Sequence, residues 1–228
     1  MAQDKPYYEK KARTGWLLSY GDVVTLLITF FIMMISKQSG DISRMNAWVS
    51  DQLNRTAREI QEVVDANRFE NITVAHHSKG VQITLRGQSI FNTGEATPLP
   101  ELASQLQQIS EAIGNLSILN LAESEQRTML HELEKNNLKW TVEIRVEGHT
   151  DNVPLGSRSK FRDNWQLSAA RAQTVMKMLQ EMTGLPELIF AVAGFGEFQP
   201  SAPNDTNESR ALNRRVEIYI DASIQQAR

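Results

Sequence analysis

The sequence predicts one membrane-spanning helix followed by an α/β domain in which helices pack on a sheet. Residues 16–36 carry a single charged side chain, and helix-like and strand-like patterns alternate after residue 70. The 228 residues are enough for one core of ordinary size besides the span. The net charge of −3 indicates no nucleic-acid partner, and the lack of cysteine excludes disulfides and thiolate metal sites.

The apolar segment 16–36 would measure about 30 Å as a helix, which matches one hydrocarbon core. A cleaved signal peptide would have a shorter apolar core and a small-residue cleavage site, and neither is seen here. Basic residues are more frequent before the span than after it, which predicts a single-pass protein with residues 1–15 in the cytoplasm. The basic residues before the span are Lys5, Lys10, Lys11 and Arg13, and those that follow it are Lys37 and Arg44.

Asp22 is the one charged side chain of this segment. An ionised carboxylate at the centre of a bilayer costs about 2.5–3.5 kcal/mol, so the group either takes up a proton or faces a cation, water or a partner subunit. Ser19, Thr25 and Thr29 lie within about 60° of Asp22 around the helix and share its face. We expect Asp22 to carry an ion, with three hydroxyls that either ligate a cation or bond to the backbone.

The segment 37–71 is predicted to be helical because its apolar side chains recur at helical intervals. The apolar series begins with Ile42, Met45, Val49 and Leu53. Two interpretations remain open. The segment is either a plain amphipathic connector or coiled coil, or a helix that lies on a membrane surface or a pore and regulates it.

The remaining chain predicts an α/β arrangement because strands and helices alternate along it. The predicted strands are 71–77, 80–87, 140–149, 188–196 and 214–220, and the predicted helices are 101–114, 121–136 and 165–184. An additional helical segment near 116–137 either packs on the domain or forms a dimer surface. Residues 222–228 are predicted to be a tail.

Four separated motifs lie in order within this part of the chain. They are Thr150-Asp151, the N-x-x-L-S-x-x-R-A block from Asn164 through Leu167, Ser168 and Arg171 to Ala172, the turn with Gly194, Gly196 and Pro200, and the N-R-R-V-E block 213–217. Together these motifs resemble the OmpA-like peptidoglycan-binding family over residues 72–221. The resemblance implies a mixed sheet packed by helices.

The same resemblance implies a zwitterionic ligand from the cell wall. Asp151 would meet the ammonium group of a diaminopimelate side chain, and Arg171 would pair with its carboxylate. Thr150, Asn164 and the backbone of Leu167 and Ser168 would line the pocket. Arg215 is a further candidate for peptidoglycan binding, although Arg214 and Arg215 could instead cap helices or pair with acidic residues.

The span with its Asp, GWLLSYGDVVTLLITFFIMM, joined to such a domain is similar to the B-subunit family of the MotA/MotB (PomA/PomB) flagellar stator. The resemblance implies a homodimer inside a pentamer of MotA/PomA-like A subunits, with H⁺ or Na⁺ as coupling ion and no cofactor. It places the span in the bacterial inner membrane and the domain in the periplasm on peptidoglycan. It also implies a plug that contains Ile42, Met45, Val49 and Leu53.

Other functions remain open at this point. The linker 37–71 is short, about 50 Å as a helix, which leaves room for a stator-like motor of the Zorya anti-phage type. A passive tether from membrane to cell wall would need no Asp22. An enzyme is disfavoured because no nucleophile–base pair or metal cluster is recognisable near the motifs.

Overall fold

The computed structural model describes residues 5–77, 79–86, 90–121, 127–157 and 159–227, apart from the side chains of 5–15 and 37–42. In chain order the helices and strands are α1 (Lys5–Ala66), β1 (Ile72–His77), β2 (Gly80–Arg86), α2 (Pro100–Gly114), α3 (Arg127–Lys135), β3 (Leu138–His149), α4 (Asn164–Thr183), β4 (Phe190–Gly196), α5 (Asn207–Asn213) and β5 (Arg215–Gln226). The chain divides into two compact units, 1–48 and 49–228.

The first unit contains the predicted span. Within α1, Trp16–Ser36 is a 21-residue segment with a mean hydropathy of 2.0, and no part of it is buried within the described chain. Its length and composition suit one crossing of a membrane. The prediction of one N-terminal apolar helix is confirmed.

The second unit begins at Val49 rather than at the predicted boundary, residue 72. The C-terminal part of α1 contributes Leu53, Ile60 and Val64 to the hydrophobic core of this unit, and Leu53 is only 1% exposed. Leu53, predicted to belong to a plug, is therefore a core residue of the domain. The segment is helical, as its apolar spacing predicts, but periodicity alone does not say which surface covers the apolar face.

Two other predicted plug residues, Met45 and Val49, are half-buried. Val49 packs against the core of the second unit. The side chain of Ile42 lies outside the described residues.

The sheet of the second unit has the order β1-β2-β5-β3-β4. The β3–β4 pair is parallel and the other pairs are antiparallel, so the sheet is mixed, as predicted. One face is apolar, and it packs with residues of α1, α2 and α4 in a single core. Its buried side chains include Ile72, Val81, Ile83, Leu85, Ile144, Val146, Val216, Ile218, Ile220 and Ala222. The alternate positions of β3 and β5 carry charged and polar groups, because side chains alternate across a strand.

The segment after α2 packs on the domain, one of the two predicted alternatives. Leu116, Ile118 and Leu121 are buried. Ser117 Oγ donates a 3.0 Å hydrogen bond to Glu59 Oε1 of α1, and Trp140 Nε1 donates to the Ile118 carbonyl at 3.2 Å. The helix predicted over 121–136 is shorter, at Arg127–Lys135, and residues 122–126 lie outside the described residues.

The C-terminus differs from the predicted tail. Strand β5 continues to Gln226, which pairs with Leu138 at the start of β3. The side chains after Ala222 lack a clear apolar alternation, so this part of the strand depends on backbone pairing to β3. Helix α5, seven residues long, was not predicted; its N-terminus is capped by Thr206, whose side chain accepts from the Ser209 N–H at 3.1 Å.

Candidate functional site

The candidate site lies where β3 ends and α4 begins. Asp163 caps α4 by accepting a hydrogen bond from the Gln166 N–H at 2.8 Å. The next residue, Asn164, has its side-chain nitrogen 3.2 Å from the Asp151 carbonyl, 3.0 Å from the Val153 carbonyl and 3.1 Å from Glu197 Oε2. One amide thus ties the loop after β3 to the loop after β4.

An open cavity of about 1110 Å³ adjoins this junction. Its wall is formed by loop 90–97, by the loop after β3, by α4 and by the start of β5. Six of the seven predicted ligand-binding residues line the cavity, namely Thr150, Asp151, Asn164, Leu167, Arg171 and Arg215. Residues more than 50 positions apart in the chain are thereby brought together.

Ser168, the seventh predicted residue, is fully buried and does not line the cavity. Its hydroxyl donates to the Trp165 carbonyl at 2.8 Å and accepts from the Gly196 N–H at 2.9 Å. Ser168 therefore positions α4 against β4 rather than offering a group to a ligand.

Asp151 is already paired in this structure. Its Oδ2 accepts a 2.6 Å hydrogen bond from Arg214 Nη1, and its Oδ1 accepts from the Val153 N–H at 3.1 Å. Arg214 also lines the cavity. Arg214 is not among the predicted ligand-binding residues, and its place beside Arg215 in the N-R-R block is the one sequence signal for it.

Arg171 is held in place by neutral groups. Its Nε donates to the Glu95 carbonyl at 2.8 Å, its Nη2 donates to the Asn92 carbonyl at 3.0 Å, and its guanidinium lies 5.0 Å from the centre of the Phe91 ring. Burial lowers the pKa of Arg171 to about 10; Asp151 opposes this change and Arg214 adds to it. The side chain remains cationic at neutral pH.

Arg215 is engaged inside the domain. Its Nε donates to Glu217 Oε1 at 2.6 Å and its Nη2 donates to the Gln199 carbonyl at 3.1 Å. By contrast, the Thr150 hydroxyl is buried and has no hydrogen-bond partner among the described residues. Of these two cavity-lining residues, Arg215 has its guanidinium engaged within the domain and Thr150 has a hydroxyl that is not satisfied.

One group of potential metal ligands occurs in the described part of the domain: Glu147, His149 and Glu217 are buried, with ligand atoms within 4.8 Å of one another. Each carboxylate is paired with a guanidinium, Glu147 with Arg145 and Glu217 with Arg215. These arginines already supply the positive charge that a metal ion would provide. We interpret the group as an ion-pair network that joins β3 to β5.

The predicted ion-carrying residues lie in α1. Asp22, Ser19, Thr25 and Thr29 are exposed in this single chain. Thr25 Oγ1 donates to the Asp22 carbonyl at 2.8 Å, and Thr29 Oγ1 donates to the Leu26 carbonyl at 2.9 Å. Both threonine hydroxyls donate their hydrogen to a backbone carbonyl. Their oxygen lone pairs can still accept a hydrogen bond or bind a cation.

Two family models match the chain. Residues 112–214 match the OmpA family, and residues 3–54 match the family described as membrane MotB of the proton-channel complex MotA/MotB. Motility protein B of Bacillus subtilis is 26% identical over 95% of this chain and 94% of its own length. The uncharacterized protein YtxE of the same organism is 25% identical over 93% of this chain and 90% of its own.

Solved structures share the fold. A MotB-like protein from Desulfovibrio vulgaris superposes with a TM-score of 0.59 at 21% identity, covering 77% of this chain and 94% of that chain. The cell wall anchor of the T6SS from Pseudomonas aeruginosa superposes with a TM-score of 0.54 at 28% identity, covering 74% of this chain and 98% of that chain.

The fold and the site define a protein with one apolar N-terminal helix and an OmpA-like domain. The MotB family model matches the N-terminal helix, and the alignment with Motility protein B runs through both parts of the chain. Both parts of the chain, in this order, are similar to those of stator B subunits of the MotB type.

Proposed function

We propose that this chain is the ion-conducting B subunit of a rotary motor of the flagellar type, and that its C-terminal domain anchors the motor to peptidoglycan. The observation that carries the anchoring role is the cavity lined by Asp151, Arg171 and Arg214. One carboxylate and two guanidinium groups suit a ligand that bears both an ammonium and a carboxylate group, such as a diaminopimelate side chain. The likeness to a cell wall anchor supports this role.

Ion transport is assigned to Asp22. Moving one elementary charge through 100 mV releases about 2.3 kcal/mol, which is comparable to the cost of ionising a carboxylate in the membrane. The membrane potential can therefore bias Asp22 between a loaded and an empty state, and the change of charge can alter its contacts with surrounding subunits. We propose H⁺ or Na⁺ as the ion and Ser19, Thr25 and Thr29 as supporting groups.

The assembly follows from the same proposal. Two copies of this chain would lie within a pentamer of polytopic MotA-type subunits in the bacterial inner membrane, with the N-terminus cytoplasmic and the domain periplasmic. Residues near Ile42 and Met45 would act as a plug before the domain is anchored.

The anchoring role is tested by co-sedimentation of the full-length protein in detergent with purified sacculi that contain diaminopimelate. We expect the wild type to sediment and Asp151→Asn to lose most of this retention. Asp205→Asn, which changes an exposed aspartate outside the cavity, is the control and should sediment like the wild type. Equal retention of Asp151→Asn would refute the assigned site.

The ion-carrying role is tested separately by co-expressing the chain with its A subunits and measuring ion flux across vesicles. Asp22→Asn should abolish the flux while membrane insertion and sacculus retention persist, and Asp22→Glu should keep part of the flux because it keeps a carboxylate. Undiminished flux through Asp22→Asn would leave a passive tether as the function.

A further inference from the structure

We propose that Arg214 determines the specificity of the cavity: it occupies Asp151 in the free site, leaves it when a ligand ammonium binds, and then requires a carboxylate from the same ligand. This inference rests on the proposed peptidoglycan-binding function and names the ligand chemistry of that site. Ligands with an ammonium group and a neighbouring carboxylate are accepted, and ligands with an ammonium group alone are rejected.

Both carboxylate oxygens of Asp151 already accept a hydrogen bond in this structure. Arg214 binds one oxygen at 2.6 Å and the Val153 N–H binds the other. The backbone N–H is fixed by the loop, whereas Arg214 is a long side chain with a 25% exposed surface at the cavity wall. An incoming ammonium group must therefore displace or share the guanidinium of Arg214.

A displaced Arg214 guanidinium would need another anion. Asp151 is the acceptor that the described chain offers to the Arg214 side chain. The neighbouring Arg215 has its own carboxylate in Glu217. Loss of Asp151 would leave Arg214 without an anion, and separating a close, partly buried ion pair without replacement is costly.

The cavity wall carries an excess of positive charge. Asp151 is one anion against the two cations Arg171 and Arg214, and Arg171 bonds to carbonyl groups rather than to a carboxylate. An ammonium ligand without a carboxylate would raise this excess of positive charge. In a ligand with one ammonium and one carboxylate group, the ammonium pairs with Asp151 and the carboxylate pairs with the two guanidinium groups. The two charged groups at the exposed rim of the cavity, Glu95 and Lys160, have opposite signs and leave this balance unchanged.

The Asp151–Arg214 ion pair lies at the cavity wall, where a ligand can reach it. Arg215 also lines the cavity, but its partner Glu217 does not, and the two side chains are only 6% and 8% exposed. By contrast, both members of the Asp151–Arg214 pair line the cavity. The pair is thus positioned where a ligand can exchange with it.

The experiment uses two probes that differ only in carboxylate groups: meso-diaminopimelate and 1,5-diaminopentane, its fully decarboxylated analogue. Each competes with sacculi for the full-length protein in detergent. The wild type should release sacculi with meso-diaminopimelate at a concentration at least about tenfold lower than with 1,5-diaminopentane. Failure of the wild type to bind sacculi would remove both the proposed function and this inference.

Arg214→Gln should shift the competition by the two probes in opposite directions, which the loss of a purely structural contact would not do. Because Asp151 is freed, 1,5-diaminopentane should compete about tenfold better than with the wild type, while meso-diaminopimelate should compete about tenfold worse. Arg214→Lys keeps a cation and should retain the preference of the wild type. Arg162→Gln removes an arginine that is 86% exposed and paired with an aspartate outside the cavity, and it should behave like the wild type.

The outcomes are distinct. Opposite shifts for the two probes support the exchange of Arg214. If sacculi still bind but Arg214→Gln weakens both probes alike, or changes neither, the inference is overturned and the anchoring function stands. The folded state of each variant is checked by its thermal unfolding transition.

Discussion

The hydroxyl of Ser168 accepts a 2.9 Å hydrogen bond from the backbone N–H of Gly196, and this bond joins α4 to the end of β4. The helix can approach the sheet so closely because glycines lie under it. A Cβ atom added at Gly194 would lie 2.5 Å from the Ala169 nitrogen, and one added at Gly148 would overlap the Ser168 carbonyl. The geometry beneath the candidate site thus depends on two positions without side chains.

Gly194→Ala should destabilise the protein by about 1–3 kcal/mol, because the new methyl group forces α4 away from β4. Gly156→Ala, where an added Cβ meets no atom within 4 Å, is the matched control. Chemical denaturation of the full-length protein in detergent compares the two. A free energy of unfolding for Gly194→Ala equal to that of the control would show that the helix can shift without cost.

Leu53→Ala should lower the free energy of unfolding by about 2–5 kcal/mol, since Leu53 is 1% exposed in the core of the second unit. Its exposed neighbour Asn54 provides the control, Asn54→Ala, which should change stability by less than about 0.5 kcal/mol. Thermal or denaturant unfolding measures both. If Leu53 acted only in a plug, its truncation would alter ion leakage and leave unfolding unchanged.

Arg171→Lys should loosen loop 90–97, because one ammonium group cannot replace the guanidinium that bonds to the carbonyls of Asn92 and Glu95. We expect amide hydrogen exchange of this loop to become about tenfold faster. Arg162→Lys, at an exposed arginine, controls for the change of side-chain type. Unchanged exchange in Arg171→Lys would mean that the loop is held by other contacts.

Glu217→Gln should remove a stabilising contribution that depends on pH. Burial acts to raise the pKa of Glu217, but His149, Arg215 and Tyr219 outweigh it and lower the pKa from 4.5 to about 2. A lowered pKa stabilises the fold above the unfolded value, and this stability is lost as the pH falls from about 4.5 through about 2. At neutral pH the loss in Glu217→Gln should be about 3 kcal/mol.

The difference between Glu217→Gln and the wild type should therefore shrink as the solution is acidified toward about pH 2. Unfolding by denaturant across this range gives the comparison. Glu143→Gln, whose carboxylate is 53% exposed and 4.0 Å from Arg145, serves as control and should show little change at any pH. If the difference in free energy of unfolding between Glu217→Gln and the wild type stayed constant with pH, the ionisation of Glu217 would not contribute to stability.

Helix α4 shows how far local signals reach. It was predicted over 165–184 and is found at Asn164–Thr183, because Asp163 caps its start and Gly184, with φ of 67°, ends it. Both signals lie within a few residues of the helix end that they define. The apolar segment 16–36 was predicted for the same reason, since length and composition are local properties.

The ion pair of Arg214 could not be predicted from local signals. Its partner Asp151 is 63 positions away, and nothing near either residue indicates the 2.6 Å contact. Leu53 likewise belongs to an apolar series whose helical spacing suits contact with a pore, a membrane or a protein core equally well. Ser168 belongs to the same motif as Arg171 but faces β4 instead of the cavity.

By itself, the sequence determined the apolar helix with its single Asp22 and the strands and helices of the domain, and it predicted Asp151 and Arg171 as ligand-binding residues. These depend on residue type and spacing along one stretch of chain. The tertiary structure alone decided that α1 completes the core from Val49, that Arg214 occupies Asp151, and that Ser168 is structural. The reason is physical: which partner satisfies a buried apolar face or a charged group depends on what the fold brings near it.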